Sequence, residues 1–284
     1  MNTEKNKEKW IQKIIDILTV GERSKSTIDN YTSCVRRFLN YYNNKTNIRQ
    51  LKEEEILKYI KSSFIDLGCK PNTCNINIKA LRYFYSVCFD RVLNKNKLPN
   101  VKISKKVPII IEKKTFIKLV NNEKFLHYKC WLLLAFCCGL RANEVATIKI
   151  EDIFAQEHKL KVLGKGKKER YTILPDIVIK YLRLYYKYGN FRFKQGYLFK
   201  GYHGNPHVSA KYITNHFTEL KKIYGLDKNL TFHSLRHSFA TYYLINGGNI
   251  LTLKSLMGHT YLGTTSIYIH IAQNFNELEG IKYV

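Results

Sequence analysis

A chain of 284 residues with 45% apolar and 25% charged side chains has material for two folded cores and lies outside the compositions of disordered chains. Lys and Arg number 48 against 22 Asp and Glu, a formal net charge of +26. Residues 1–103 hold 20 basic and 10 acidic side chains and the remainder 28 and 12, so the surplus is not a tail. Such a surplus costs self-repulsion unless an anionic partner relieves it, and a long polyphosphate is the usual one. A lysine-rich compositional bias is the bland alternative, but it would add acids as readily as lysines.

No apolar run approaches the roughly 20 residues that a membrane helix needs. The early segment WIQKIIDILTV is broken by Lys13 and Asp16 and reads as an amphipathic helix rather than a signal peptide. A cytoplasmic location follows by default, with no membrane partner. Seven cysteines without a CxxC pair read as reduced thiols in the core. Cys69 and Cys74 lack the second ligand pair that a structural zinc needs.

In chain order, the first hundred residues carry four apolar stripes at helical spacing. Trp10, Ile11, Ile14, Ile15 and Leu18 form one, and Ile28, Tyr31, Val35, Phe38 and Tyr42 form a second after the cap-like Ser24 and Ser26. Ile56, Ile60 and Phe64 form a third that Gly68 stops, and Cys74, Ile78, Leu81, Tyr85 and Cys88 form a fourth after Pro71 and Asn72. This predicts a small helical bundle over residues 1–93. Residues 94–108, rich in lysine and holding two prolines, read as a basic linker. Its Lys102, Lys105 and Lys106 are candidates for the phosphate backbone.

Residues 109–284 mix element types. KCWLLLAFCCGLR reads as a buried helix ending at Gly139. TIKIEDI, KLKVLGKG and ERYTILP alternate as strands. Helical patterns resume near Asp176, Ser209, Ser234 and Asn249. The fold class is therefore mainly α with a small β-sheet.

Four features of this second part stand out. GLRANEV sets Arg141 just past the glycine-ended helix, with Glu144 three residues on, a spacing that an ordinary ion pair would also show. VLGKGKKERYTI places Lys165 between two glycines at a hairpin tip, next to Lys167 and Lys168; the GxxxxGK[ST] phosphate loop is absent, and a solvated tip is the plain alternative. TFHSLRHSFATYYL puts His233, Arg236 and His237 on one helix face. LMGHTYLGTTSIYIH carries His259 and, nine residues later, Tyr268, one of 21 tyrosines.

Order and spacing of these motifs resemble the tyrosine recombinase, or phage integrase, family over roughly residues 107–275, and the length suits its simpler Xer-like two-domain type. The resemblance implies an N-terminal four-helix core-binding domain and a mixed C-terminal catalytic domain. It implies a site-specific recombinase that cuts and rejoins duplex DNA through a 3′-phosphotyrosine, in mobile-element integration and excision or in dimer resolution. Arg141, Arg236, His233 and His259 would hold the non-bridging phosphate oxygens, whose negative charge grows in the pentacoordinate transition state. His233 would also assist proton movement at the nucleophile. Lys165 would protonate the leaving 5′-oxygen, Tyr268 would attack phosphorus, and Glu144 would orient the arginines. His237 is assigned a structural place on the helix face. The family needs no metal or nucleotide cofactor. It works as a tetramer on two DNA sites, in places with accessory proteins, and would be nucleoid-associated when bound. The tail, with Phe275, Leu278 and Ile281 at helical spacing, would dock on a neighbour or on its own protomer.

Other classes fit less well. A zinc site of His233 and His237 with His203 or His207 lacks the HExxH glutamate, whose place Ser234 holds, and Arg236 would repel the cation. A two-metal nuclease needs clustered carboxylates, and no such motif stands among the 12 acids beyond residue 103. A non-catalytic DNA binder on this fold would not need a leaving-group acid. A type IB topoisomerase would share the chemistry without exchanging partners.

Overall fold

The computed structural model describes residues 4–42, 47–104, 107–164, 168–189, 194–201 and 204–280, and side chains within these as far as residue 273. Two units divide between residues 105 and 106.

Four helices build the first unit: α1 (Glu4–Val20), α2 (Lys25–Tyr41), α3 (Glu53–Ile60) and α4 (Pro71–Phe89). Ser24 caps α2 by accepting the Thr27 N–H, and Pro71 occupies the first turn of α4, where its missing N–H costs nothing. The four sequence stripes become one core. Phe38 sits at its centre, with the rings of Tyr42, Tyr59, Phe84 and Tyr85 between 5.2 and 6.3 Å away in edge-on contacts. The buried Tyr85 hydroxyl donates to the Ile48 carbonyl at 2.8 Å. Leu98 is buried in the same core, and Asn75 exchanges two hydrogen bonds with the Val101 backbone, at 2.9 and 2.8 Å.

The second unit runs α5 (Lys113–Asn122), α6 (Leu126–Cys138), α7 (Ala142–Ala146), β1 (Ile153–Phe154), β2 (Lys159–Leu163), β3 (Glu169–Ile173), α8 (Asp176–Tyr188), α9 (Ala210–Ile223), α10 (Phe232–Ile245), α11 (Ile250–Met257) and α12 (Ile267–Gly280). The strands form an antiparallel meander in the order β1-β2-β3. Leu160 lies opposite Thr172 and Val162 opposite Arg170. Helix α6 is apolar all round and lies in the middle, packed against α10 and α8. Ser209 and Asn249 cap α9 and α11 through their side chains.

TIKIEDI is not the strand that its alternation suggests. Residues 150–152 form one 3₁₀ turn, and only Ile153 and Phe154 join the sheet. The segment's backbone is taken from elsewhere: Ile150 N–H donates to Gly196 at 3.0 Å, and the Ile148 carbonyl accepts from Leu198 at 2.8 Å.

Two features place the functional region. A smaller core of Phe239, Ala240, Leu253, Met257, Tyr268 and Ile271 joins α10, α11 and α12. Helices α6 and α11 both end in left-handed glycines, Gly139 at φ 68° and Gly258 at φ 62°. A Cβ on Gly139 would lie 2.4 Å from the Phe239 ring. Gly139→Ala should therefore cost about 2–4 kcal/mol, from left-handed strain plus overpacking. Urea denaturation of the purified variant measures it, and a loss under about 1 kcal/mol would show that Phe239 gives way freely.

Candidate active site

Glu144 is the centre of the site. It lies in the first turn of α7, where a carboxylate suits the exposed N–H groups of the helix. It accepts from the Arg141 backbone N–H at 2.8 Å and from Arg141 Nη1 at 2.9 Å. Arg170, on β3, grips it with both terminal nitrogens at 2.9 Å. Arg236 Nη1 stands 3.5 Å away. Burial raises the Glu144 pKa, but hydrogen bonding and charge from Arg170, the charge of Arg236 and the Arg141 N–H outweigh it, so the group sits below its ordinary value and stays ionised. Three guanidinium cations against one carboxylate leave the cluster at +2.

Arg236 is 0% exposed. Its Nη1 donates to the Gly139 carbonyl and its Nη2 to the Met257 carbonyl, each at 2.5 Å. Both carbonyls are orphans at helix C-termini, where a cation is favoured. The glycine turns of α6 and α11 bring those carbonyls onto one guanidinium. Burial and Arg141 lower the Arg236 pKa, yet a guanidinium remains charged at neutral pH.

Arg236 Nη2 also meets His259 Nε2 at 3.2 Å. Arginine can only donate, so Nε2 accepts and the ring proton is on Nδ1, which donates to Thr265 Oγ1 at 2.9 Å. Burial and the charges of Arg236, Arg141 and Arg170 push His259 down to about 4. His233 lies at the exposed rim and makes no side-chain hydrogen bond among the described residues. The surrounding chain, Arg236 and Arg141 hold it, too, near 4. Arg141 is the open cation of the cluster, its side chain 37% exposed.

Tyr268 stands at the start of α12 and is 2% exposed. Its backbone N–H bonds to Thr265, whose hydroxyl holds His259, so the two side chains share one anchor. Burial pushes the phenol up to about 12, against the charges of Arg236 and Arg141, whose field reaches it. Its hydroxyl bonds His237 Nδ1 at 2.7 Å.

Lys165 and Lys167 lie outside the described residues, as do Lys105 and Lys106. Gly164 N–H donates to the Lys168 carbonyl at 2.8 Å and closes the base of that hairpin. Lys168 and Lys102 are exposed. The structure thus gathers Arg141, Glu144, His233, Arg236, His259 and Tyr268 from α7, α10, α12 and the turn after α11.

Two residues join them: Arg170, which the sequence motifs do not single out, and His237, for which they suggest a structural place on the helix face. Arg170 also donates Nε to the Leu256 carbonyl at 2.8 Å, and so ties the hairpin, Glu144 and α11 together. Strand alternation carried a signal for it: Arg170 pairs with the buried Val162, two residues from the buried Leu160–Thr172 pair, so it faces inward and needs a carboxylate. The second is His237, which reaches Tyr268.

A helical unit followed by a mainly helical domain that gathers three arginines, three histidines and a tyrosine beside one carboxylate describes the tyrosine recombinase class. Residues 111–274 match the phage integrase family, and residues 10–95 match the phage integrase N-terminal SAM-like domain. The chain belongs to the phage integrase family. A tyrosine recombinase of Thermosipho africanus is 32% identical over 97% of this chain and 99% of its own length. The XerD tyrosine recombinase of Staphylococcus epidermidis is 29% identical over 88% of this chain and 90% of its own. Among solved structures, XerA recombinase is 25% identical over 97% of this chain and 99% of its own, with a TM-score of 0.55. XerH bound to its difH substrate shares the fold, with a TM-score of 0.73 at 20% identity over 90% of this chain and 80% of its own.

Arg170→Ala removes two of the hydrogen bonds on a buried carboxylate, and should cost about 3 kcal/mol in urea denaturation. A loss under about 1 kcal/mol would mean that Arg141 and Arg236 satisfy Glu144 alone. Acid should also weaken this unit. His233, His237 and His259 titrate near 4 when folded, below the ordinary 6.5. Between those values the unfolded chain binds more protons, so stability falls as pH drops through the window. Tm should decline steadily between about pH 7 and about pH 5, and a flat Tm would contradict neutral histidines in the folded site.

Proposed function

We propose that this family member is a site-specific recombinase that cuts and rejoins duplex DNA through a 3′-phosphotyrosine on Tyr268. The observation that carries the reading is the buried +2 cluster with a phenol inside its field. Two excess positive charges behind a half-open arginine make a seat for an anion. A phosphodiester gains negative charge on its non-bridging oxygens as it becomes pentacoordinate, so a fixed positive site stabilises the transition state more than the ground state.

In this reading Arg141 and His233, at the rim, meet the phosphate. Arg236 supplies charge from beneath, and His259 a nearby imidazole. Lys165, on the hairpin anchored by Arg170, protonates the leaving 5′-oxygen. Covalent attachment to Tyr268 conserves the phosphodiester bond energy, and a 5′-hydroxyl from another strand reverses the attack. Glu144 keeps the guanidiniums in register. The net charge of +26 supports DNA as the partner, held through both units, with Lys102, Lys105, Lys106, Lys167 and Lys168 as backbone contacts. The relatives' names support Xer-like recombination. The reading extends this to a tetramer on two core sites, located where the DNA is. Among the described residues no helix is long and apolar enough to cross a membrane.

Nicked duplexes tiled across the DNA that flanks the coding sequence test the reading, with EDTA present. The protein should form an adduct that survives denaturing gels. Tyr268→Phe should abolish it while leaving DNA affinity within about threefold. Arg141→Ala should slow it about 10²-fold, the scale of a lost transition-state donor. An adduct that persists in Tyr268→Phe removes Tyr268 as nucleophile.

A further inference from the structure

His237 follows Arg236 on α10 and stands one turn beyond His233. Of the three site histidines it is the one in hydrogen-bond contact with Tyr268, its Nδ1 2.7 Å from the phenol oxygen. His233 meets His237 edge-on, with ring centroids 4.5 Å apart, and makes no side-chain hydrogen bond among the described residues. His259 Nδ1 is spent on Thr265 and its Nε2 on Arg236. We propose that His237 is the catalytic residue that orients the Tyr268 hydroxyl and accepts its proton when the tyrosine attacks phosphorus. The inference rests on Tyr268 being the nucleophile.

The surroundings suit that task. A phenol attacks as it loses its proton, and burial works against forming a free phenolate first. Neutral imidazole offers one lone pair, and the proposal uses the tautomer with that pair on Nδ1, accepting the phenol O–H, and the ring proton on Nε2. Burial, His233, Arg236 and His259 keep His237 near 4 and hence neutral at working pH. The groups that face the pair are His233 and Arg236 on α10, His259 after α11 and Arg141 before α7. Their charge disfavours an imidazolium while the site is empty. A bound phosphate offsets that charge and makes the proton acceptable.

The step balances. The Tyr268 oxygen forms a bond to phosphorus as its proton passes to His237 Nδ1. The bond from phosphorus to the 5′-oxygen breaks, and that oxygen takes its electron pair and a proton from Lys165. On rejoining, a 5′-hydroxyl attacks phosphorus as its proton returns to the neutral Lys165 amine, the bond from phosphorus to the Tyr268 oxygen breaks, and the departing tyrosine recovers its proton from His237. The acceptor on the empty enzyme is far weaker than a phenolate, so the transfer accompanies bond formation rather than preceding it.

The test uses His237→Gln, whose amide can still accept the phenol hydrogen bond but cannot take a proton, and His237→Ala. Adduct formation is timed on nicked DNA and on the same DNA with sulfur in place of the bridging 5′-oxygen. Sulfur leaves without needing a proton, so it bypasses the leaving-group acid. His237→Gln should react about 10²-fold slower near neutral pH, with DNA affinity within about threefold. The deficit should shrink as pH rises and hydroxide takes the acceptor's place. Sulfur should restore Lys165→Ala but not His237→Gln, and added imidazole should speed His237→Ala. A His237→Gln rate within about threefold of the parent, or an equal deficit at every pH, overturns the proposal while Tyr268 chemistry stands. A parent protein without a Tyr268 adduct on a site it binds overturns both.

Discussion

A fully buried guanidinium organises the second unit. Arg236 draws together the carbonyl ends of α6 and α11, the carboxylate of α7 and the imidazole that follows α11. Each contact answers a separate physical need. Helix C-termini carry unpaired carbonyls and partial negative charge, and a buried cation needs both. Gly139 and Gly258 make the turns that aim those carbonyls. An arginine with such partners is fixed in place before any ligand arrives, which is what electrostatic preorganisation requires.

The same network explains why the site is basic rather than neutral. Glu144 is one carboxylate among three guanidiniums, enough to hold them together and too little to cancel them. Arg170 secures Glu144 from the sheet and reaches the end of α11. Strand β3 thereby ties the base of the lysine hairpin to the same carboxylate that positions Arg141. Thr265 performs the equivalent task on the other side, joining His259 to the backbone of Tyr268. The network thus holds the guanidiniums, His259 and Tyr268 close together through the chain's own residues.

Much of this was legible in the sequence, for local reasons. Asn249 and Ser209 read as helix starts because their side chains cap the backbone, and Gly139 as a stop because the left-handed turn favours glycine. Arg141, His233, Arg236, His259 and Tyr268 fall in one constellation only through the resemblance of their motifs to the tyrosine recombinase family. What escaped was non-local. The inward face of Arg170 followed from strand alternation, but its partner lies 26 residues away and belongs to another element. His237 and Tyr268 are 31 residues apart, and only the packing of α10 on α12 joins them. TIKIEDI alternates like a strand because Ile148 is buried and Lys149 is exposed, yet its backbone partners come from residues 196 to 198. Helix α5 is masked in the sequence by its lysines, although Phe116, Leu119 and Val120 form an apolar stripe.

The central claim is that the tyrosine held inside the arginine field, and not a more accessible one, bonds to DNA. Tyr261 is the natural competitor: it follows His259 by two residues and is 76% exposed, against 2% for Tyr268. Tandem mass spectrometry of a nuclease-trimmed, protease-digested adduct reads the site of attachment directly. The account predicts a 3′-nucleotide on Tyr268 alone. A nucleotide on Tyr261, or on any other residue, would contradict it.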